Sequence, residues 1–488
     1  MGIVIKQSLS NLITTFLGFG IGALNTLFFY VQFMNDTYYG LVGFLLSTAM
    51  LLMPIFAFGV HNTLIKFYSS YAGAEQDRFL WVMLLLPLIP VTIGLGVFFV
   101  FYDEIGAYLS TKNDLVADYV WYIVILAITA AYFEIFFAWA RVQLKSIFGN
   151  FLKEVFHRLL VALLLLLLGY EIIDLNLFFI LFTAVYILRM VIMKIYAFHL
   201  RMPKFSFGSD GYQLPKNFSR VIKYTLLIII AGSVATMLLD IDKFMIGKYE
   251  FIQNVAYYSV AIYIATTIVI PQRAMHQITS PMVAKLLNEK NFPEIENLYK
   301  RSSLTLFIIS SLLFLLIACN VETLYKLVEP QYADGLYVVL LIGLARVFDN
   351  VLGVNNAIIF NSDYYRLVLV IGVVLIFIAI GLNMWLIPLY GIHGAAVATF
   401  ISSVGYGVMK IMIVQWKFKM HPFTIGTLKM ILVGGVFFSV FYFWNFDWHP
   451  VLSILVKSLL LGGLFILVVR LTNISTDITE AVKKYTKF

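Results

Sequence analysis

Apolar residues along this chain come in long unbroken runs, not in the three-and-four spacing of a water-facing helix or the alternation of a half-buried strand. A helix crossing about 30 Å of hydrocarbon at roughly 1.5 Å per residue needs about 20 apolar residues. Fourteen segments meet that need: 9–33, 38–60, 79–101, 115–139, 151–170, 175–198, 219–241, 254–276, 301–321, 335–360, 366–387, 391–414, 427–444 and 450–471. The pattern predicts an all-α polytopic membrane protein of about fourteen transmembrane helices. The first run is too long for a signal peptide and no small-residue cleavage site follows it, so it reads as a retained span.

Charge sets the expected orientation. With both termini placed in the cytoplasm, only six of the 34 Lys and Arg fall outside inner loops and inner helix ends: Lys112, Lys243, Lys248, Lys326, Arg346 and Lys457. The outer loops are acidic, with Asp103, Glu104, Glu171, Asp174, Glu322 and Glu329. That asymmetry is the one that orients membrane proteins. The longest connectors, about 199–218 and 277–300, are basic inner loops too short for a catalytic domain.

Composition narrows the function classes. Residues are 61% hydrophobic and 12% charged, half the charged share of about 25% in a soluble domain. The net charge of +8 lies in inner loops and not on a folded basic surface, which argues against a nucleic-acid partner. A single cysteine, Cys319, leaves no intrachain disulfide and no cysteine cluster. The chain lacks GxxxxGK[ST], HExxH and CxxC, so neither ATP hydrolysis nor another enzymatic activity is expected, and no cofactor. Energy would come from a proton or sodium gradient, or from consumption of the transported substrate.

Internal similarity suggests a duplication. The connector HLRMPKFSFGSDGYQLPKNFSR (199–220) follows the sixth span. Tyr38, Tyr39 and Pro54 in the second span match Tyr257, Tyr258 and Pro271 in the eighth. Phe133 and Glu134 match Phe348 and Asp349, and Arg158 matches Arg366. The expected organisation is an N-terminal lobe over 1–200, a cytoplasmic linker over 201–218, a C-terminal lobe over 219–420, and an appended helix pair with a tail over 421–488. Two six-helix lobes repeated in parallel place a substrate path between them.

The segment IPLYGIHGAAVATFISS (387–403) and the segment DIDKFMIGKY (240–249) carry a family likeness. With the fourteen-span, six-plus-six plan they resemble the polysaccharide exporters of the multidrug/oligosaccharidyl-lipid/polysaccharide flippase superfamily, the O-antigen flippase type above all. The resemblance implies translocation of an undecaprenyl-pyrophosphate-linked oligosaccharide across a bacterial inner membrane by alternating access. It implies as partners the lipid-linked substrate and membrane lipids, with polysaccharide polymerase and glycosyltransferases nearby, and a monomeric carrier. The small residues of 391–399 also have a plain physical reading as a close helix-packing surface. Other readings of the whole chain are a cation-coupled drug exporter of the same superfamily, which needs an acidic cavity, and a non-transporting scaffold of polysaccharide assembly.

Charges inside spans cost about 2.5–3.5 kcal/mol at a helix centre, so they mark candidate sites. Arg346 lies near the middle of the tenth span and Asp349 one turn on, either an anion-binding pair or a structural one. Glu134 and Arg141 stand two turns apart in the fourth span; Glu134 is a candidate for ion coupling, or an interior carboxylate with a partner. Asp240 and Asp242, with Lys243, are further ion-coupling candidates or an interfacial charge cluster. Arg273 and His276, with His61, Asn62 and Lys66, suggest an inner mouth. Arg158, Arg189, Lys194 and Arg366 read as interface anchors, although Arg158 also belongs among the candidates for the substrate path. Asn25, Asn355, Asn356, Thr236 and Gln272 are uncharged candidates for sugar contacts or for bonds between helices.

Overall fold

The computed structural model describes residues 2–204, 218–231, 234–444, 448–475 and 477–478. Most of the expected linker, 205–217, therefore lies outside the described residues, as does the side chain of Thr236. Among the described residues every regular element is helical. The chain divides into two compact units, Met1–Ala256 and Tyr257–Phe488.

Unit 1 begins with α1 (Gly2–Leu24), which passes through a π-helical turn at Asn25–Phe29 into α2 (Tyr30–Phe33). Asn35 caps α3 (Asp36–Phe56) by accepting the Thr37 N–H, which satisfies one of the donors a helix start leaves over. Pro54 lies two residues before the end of α3, where it removes one of the last backbone donors of the helix. After α4 (Val60–Phe67), the third expected span is broken at Pro87 into α5 (Gly73–Leu85) and α6 (Leu88–Val100). A short α7 (Tyr102–Leu109) leads to α8 (Val120–Val142). The next helix starts as α9 (Ile147–Phe151), widens into a π turn at Leu152–Phe156 and continues as α10 (His157–Gly169). Asp174 caps α11 (Leu175–Leu200), and α12 (Phe218–Ala231) and α13 (Val234–Tyr249) complete the unit.

α8 is the centre of unit 1: α3, α4 and α11 all pack against it, and Phe133, Phe136 and Trp139 are buried in its core. α13 belongs to this unit through two contacts. It packs on α3, where Phe244 stacks on Phe44, and the turn after it is held by Asn113. That side chain donates to the carbonyls of Gly247 and Glu250 and accepts the Ile252 N–H, at 2.8–2.9 Å.

The boundary of the units falls inside α14 (Gln253–Thr266). Unit 2 continues with α15 (Ile270–Asn288), α16 (Phe292–Ala318), α17 (Val321–Val328) and α18 (Leu336–Val351). Gly353 then turns the chain with a φ of +49° into α19 (Asn355–Phe360). A Cβ there would meet the Ser303 nitrogen at 2.8 Å, so the residue has to be glycine. α20 (Tyr365–Phe418) holds the expected eleventh and twelfth spans, joined at Gly391, where φ is +56° and ψ −134°. α21 (Ile425–Tyr442) and α22 (Pro450–Leu471) pack against α16 through Phe437, Phe441 and Phe465.

Among the described residues ten helical stretches of 18 residues or more are apolar enough to cross a membrane, and the protein is a multi-pass membrane protein. The eleventh and twelfth expected spans are one such stretch. The other expected spans missing from the ten are 151–170, which carries Lys153, Glu154 and Arg158; 335–360, which a turn at 352–354 divides between α18 and α19; and 219–241, part of which lies outside the described residues.

Candidate functional site

In unit 1 the ionised groups gather on α8 and its neighbours. Glu134, on the most buried helix of the unit, meets Lys153 with Nζ 2.5 Å from Oε1. The π turn that carries Lys153 also carries Glu154, whose carboxylate stands 3.4 Å from Arg158 Nη2 one turn along. Arg158 Nη1 donates to the Gly18 carbonyl, and the Arg158 carbonyl accepts Asn25 Nδ2 at 2.8 Å. These contacts hold α1 and the π turn that follows it against α10, and Asn25 is engaged in them. The approach is close enough that a Cβ on Gly18 would lie 2.3 Å from the Glu154 carbonyl oxygen.

Three more groups complete this cluster. Arg141 lies over the Phe137 ring at 4.7 Å, and its Nε is buried without an acceptor. Arg189, only 6% exposed, lies 4.3 Å over Phe133 and 4.9 Å over Tyr186, again with a buried Nε that has no acceptor. Its charge acts on those of Glu134 and Glu154. This corrects the expectation of an interface anchor: Arg189 faces the interior of unit 1, because the face of α11 that packs on α8 carries it inward. His61 on α4 interacts electrostatically with Glu134, Arg141 and Lys153, and its Nδ1 makes no hydrogen bond. Four cations, Arg141, Lys153, Arg158 and Arg189, stand against two carboxylates, Glu134 and Glu154. Buried guanidinium N–H groups without acceptors and an excess of positive charge are the chemistry of an anion site.

Asp240, Asp242 and Lys243 on α13 form their own cluster, in which Lys243 interacts with both carboxylates and Asp242 is fully buried. The electrostatic partners of Glu134 are Lys153, His61, Arg141 and Arg189, so the expected ion-coupling residues fall into two groups.

Unit 2 has a smaller site on α18, α19 and α20. Arg346 Nη1 lies 3.0 Å from Asp349 Oδ2, and Arg346 Nε is buried without an acceptor. Gln272 on α15 donates to the Asp349 carbonyl at 2.9 Å, and Asn350 donates to the carbonyls of Ile268 and Arg346. Asn355 is fully buried and donates to Tyr299 Oη at 2.7 Å. Asn356 accepts from Lys410 Nζ at 3.2 Å. Lys410, 6% exposed, lies 4.4 Å over the Tyr406 ring and interacts with the charge of Asp349. His276 adds a buried Nε2 that makes no hydrogen bond and feels Lys410. Arg346, Asp349, Asn355 and Asn356 are thus brought together around a cation absent from the sequence candidates. Arg273, one residue after Gln272, is exposed.

Lys410 was hidden by its setting. It stands within ten residues of a basic helix end, where a lysine reads as a cation reaching for the interface. Its one sequence signal is the apolar stretch on both sides, GVMKIMIV over 407–414.

The glycine motif of 387–403 has a structural part. Gly391 supplies the left-handed turn within α20, and a Cβ on Gly394 would stand 2.1 Å from the Leu386 carbonyl oxygen. Among the described residues no group of three His, Cys, Asp or Glu side chains is placed to hold a metal ion.

No family model matches the chain, and no curated protein matches it. Solved structures do. A structure of the lipid II flippase MurJ in an inward closed conformation aligns with a TM-score of 0.72 and 14% identity, over 94% of this chain and 98% of that one. A MATE transporter in complex with MaD5 gives 0.57 and 14%, over 85% and 96%. A multidrug resistance MATE family transporter in an inward-facing conformation gives 0.56 and 13%, over 86% and 95%. At such identities the likeness is one of fold: this chain has the MurJ and MATE fold over nearly its whole length.

Proposed function

We propose that this protein is a flippase for an undecaprenyl-pyrophosphate-linked oligosaccharide, an O-antigen or other surface polysaccharide repeat unit. On this reading it works by alternating access in the bacterial inner membrane, as a monomer with both termini cytoplasmic, beside polymerase and glycosyltransferases that make and use the substrate. The lipid tail stays in the bilayer while the charged head crosses. Coupling to a proton or sodium gradient through Glu134, Asp240 or Asp242 is part of the proposal.

The observation that carries it is the cation excess inside unit 1, with the guanidinium group of Arg141 offering a buried N–H donor that has no acceptor. A diphosphate supplies the acceptors and the charge. The pair of Arg346 and Lys410 around Asp349 in unit 2 has the same sign. A drug exporter for cations needs the opposite balance, and nothing in either site favours it. Support also comes from the fold, shared with a structure named for lipid II flipping.

The test is accumulation of lipid-linked glycan in the inner leaflet of cells that depend on this protein. Arg141→Ala and Arg346→Ala at normal protein levels are expected to raise it, with loss of the surface polymer. Unchanged export by both variants removes these residues from the mechanism and the reading with them.

A further inference from the structure

Each unit holds one carboxylate shared between two cations, one in a direct ion pair and one more deeply buried. In unit 1, Glu134 is ion-paired with Lys153, whose side chain is 41% exposed, and interacts with Arg189, which is 6% exposed. In unit 2, Asp349 is ion-paired with Arg346, whose side chain is 12% exposed, and interacts with Lys410, 6% exposed. Glu134 and Asp349 are the residues that the sequence repeat matches. The buried cations stand on α11 and on the second half of α20, the sixth and twelfth expected spans, and each packs on the helix that bears the acid.

The surroundings of each buried cation agree. Arg189 lies over Phe133, the neighbour of Glu134 on α8, and over Tyr186 one turn back on its own helix. Lys410 lies over Tyr406 one turn back and donates to Asn356. An aromatic face stabilises a cation without neutralising it. Each buried cation therefore keeps attraction to spare for the nearby acid.

We infer that Glu134 and Asp349 are switch acids: an anionic headgroup that takes the outer cation, Lys153 or Arg346, releases the carboxylate, which swings to the inner cation, Arg189 or Lys410. The inference rests on the anion-binding reading of these sites and adds how the sites respond to the anion. Arg189 and Lys410 are positioning residues in it, acting through the acid. The swing keeps the carboxylate paired in both states, which matters because an uncompensated charge inside the protein is costly. It also draws α11 toward α8, and α20 toward α18, when substrate is bound.

The experiment is binding of inorganic pyrophosphate to the full-length protein in lipid nanodiscs, by titration calorimetry, across a double-substitution cycle. Asp349→Asn frees Arg346 and is expected to tighten binding about tenfold, the scale of a competing charge-assisted bond. Lys410→Gln leaves the acid held on Arg346 and is expected to weaken binding roughly fivefold, while the double variant binds within about twofold of Asp349→Asn, the non-additivity that coupled residues show. A purely structural Lys410, or one that touches the anion, lowers affinity by the same factor in both backgrounds, and that result overturns the switch while leaving the anion site in place. Glu134→Gln and Arg189→Gln give the same cycle for unit 1, and Asp349→Asn alone decides the matter if Lys410→Gln does not fold, since unchanged or weaker binding contradicts the switch. A wild-type protein that binds no pyrophosphate overturns both the switch and the reading it rests on.

Discussion

Glu134 receives its ion-pair partner from another helix: Lys153 sits in the π turn between α9 and α10, 2.5 Å from the carboxylate. A π turn adds one residue to a helical turn and so shifts which side chains face a neighbour. Here it places Lys153 toward α8 and Arg158 toward α1. The anion site of unit 1 therefore depends on how the first and fifth helices meet.

That dependence predicts the effect of a single methyl group. Gly18→Ala puts a Cβ 2.3 Å from the Glu154 carbonyl oxygen, and overpacking of this kind costs about 1–3 kcal/mol. Thermal unfolding of the purified protein is expected to fall by several degrees, with weaker pyrophosphate binding. An unchanged transition places the two helices farther apart than described.

Asn113 is expected to hold the turn after α13. Asn113→Ala removes three hydrogen bonds and leaves the Ile252 N–H without its acceptor, a loss of about 2 kcal/mol or more when the groups stay buried. Faster proteolysis near 247–254 and a lower unfolding temperature are the readouts. A variant as resistant as the parent shows that other contacts, such as Phe44 on Phe244, suffice.

Arg141 should act on affinity more than on stability. Its Nε has no acceptor within the protein, so removing the side chain breaks few internal bonds. A hydrogen bond to a charged group contributes about 1.5–3 kcal/mol, which makes pyrophosphate binding by Arg141→Ala weaker by roughly ten- to a hundredfold. Equal affinity with a lowered unfolding temperature assigns Arg141 a structural part only.

The glycine motif separates packing from binding. Gly394→Ala brings a Cβ against the Leu386 carbonyl oxygen at 2.1 Å and is expected to lower thermal stability by about 1–3 kcal/mol. Pyrophosphate affinity is expected to stay within twofold of the parent. A large fall in affinity at unchanged stability moves the motif into the binding site.

The sequence carried most of the fold and only part of the site. Apolar runs locate helices because lipid demands them, and the expected spans lie mostly on helix in the described residues, with the third broken at Pro87 and the tenth at Gly353. The spacing of Arg346 and Asp349 is enough to place both on one face, and the pair is formed. The pairing of Glu134 with Lys153 was not legible, since it depends on a π turn that no local pattern announces. Arg189 and Lys410 look from sequence like cations near a membrane interface; only the packing of α11 on α8 and of α20 on α18 turns them inward. The place of α13 in unit 1 rests on the side chain of Asn113, more than 130 residues from its partners.

The central claim is that the cation-rich sites carry a sugar diphosphate head across the bilayer. Its most direct measurement is translocation of a fluorescent undecaprenyl-pyrophosphate oligosaccharide in liposomes containing the purified protein, followed by access of an external quencher or glycosidase. Protein-dependent movement that inorganic pyrophosphate inhibits and Arg141→Ala abolishes is the predicted result. Movement no faster than in protein-free liposomes, under an imposed proton or sodium gradient as well as without one, contradicts the account.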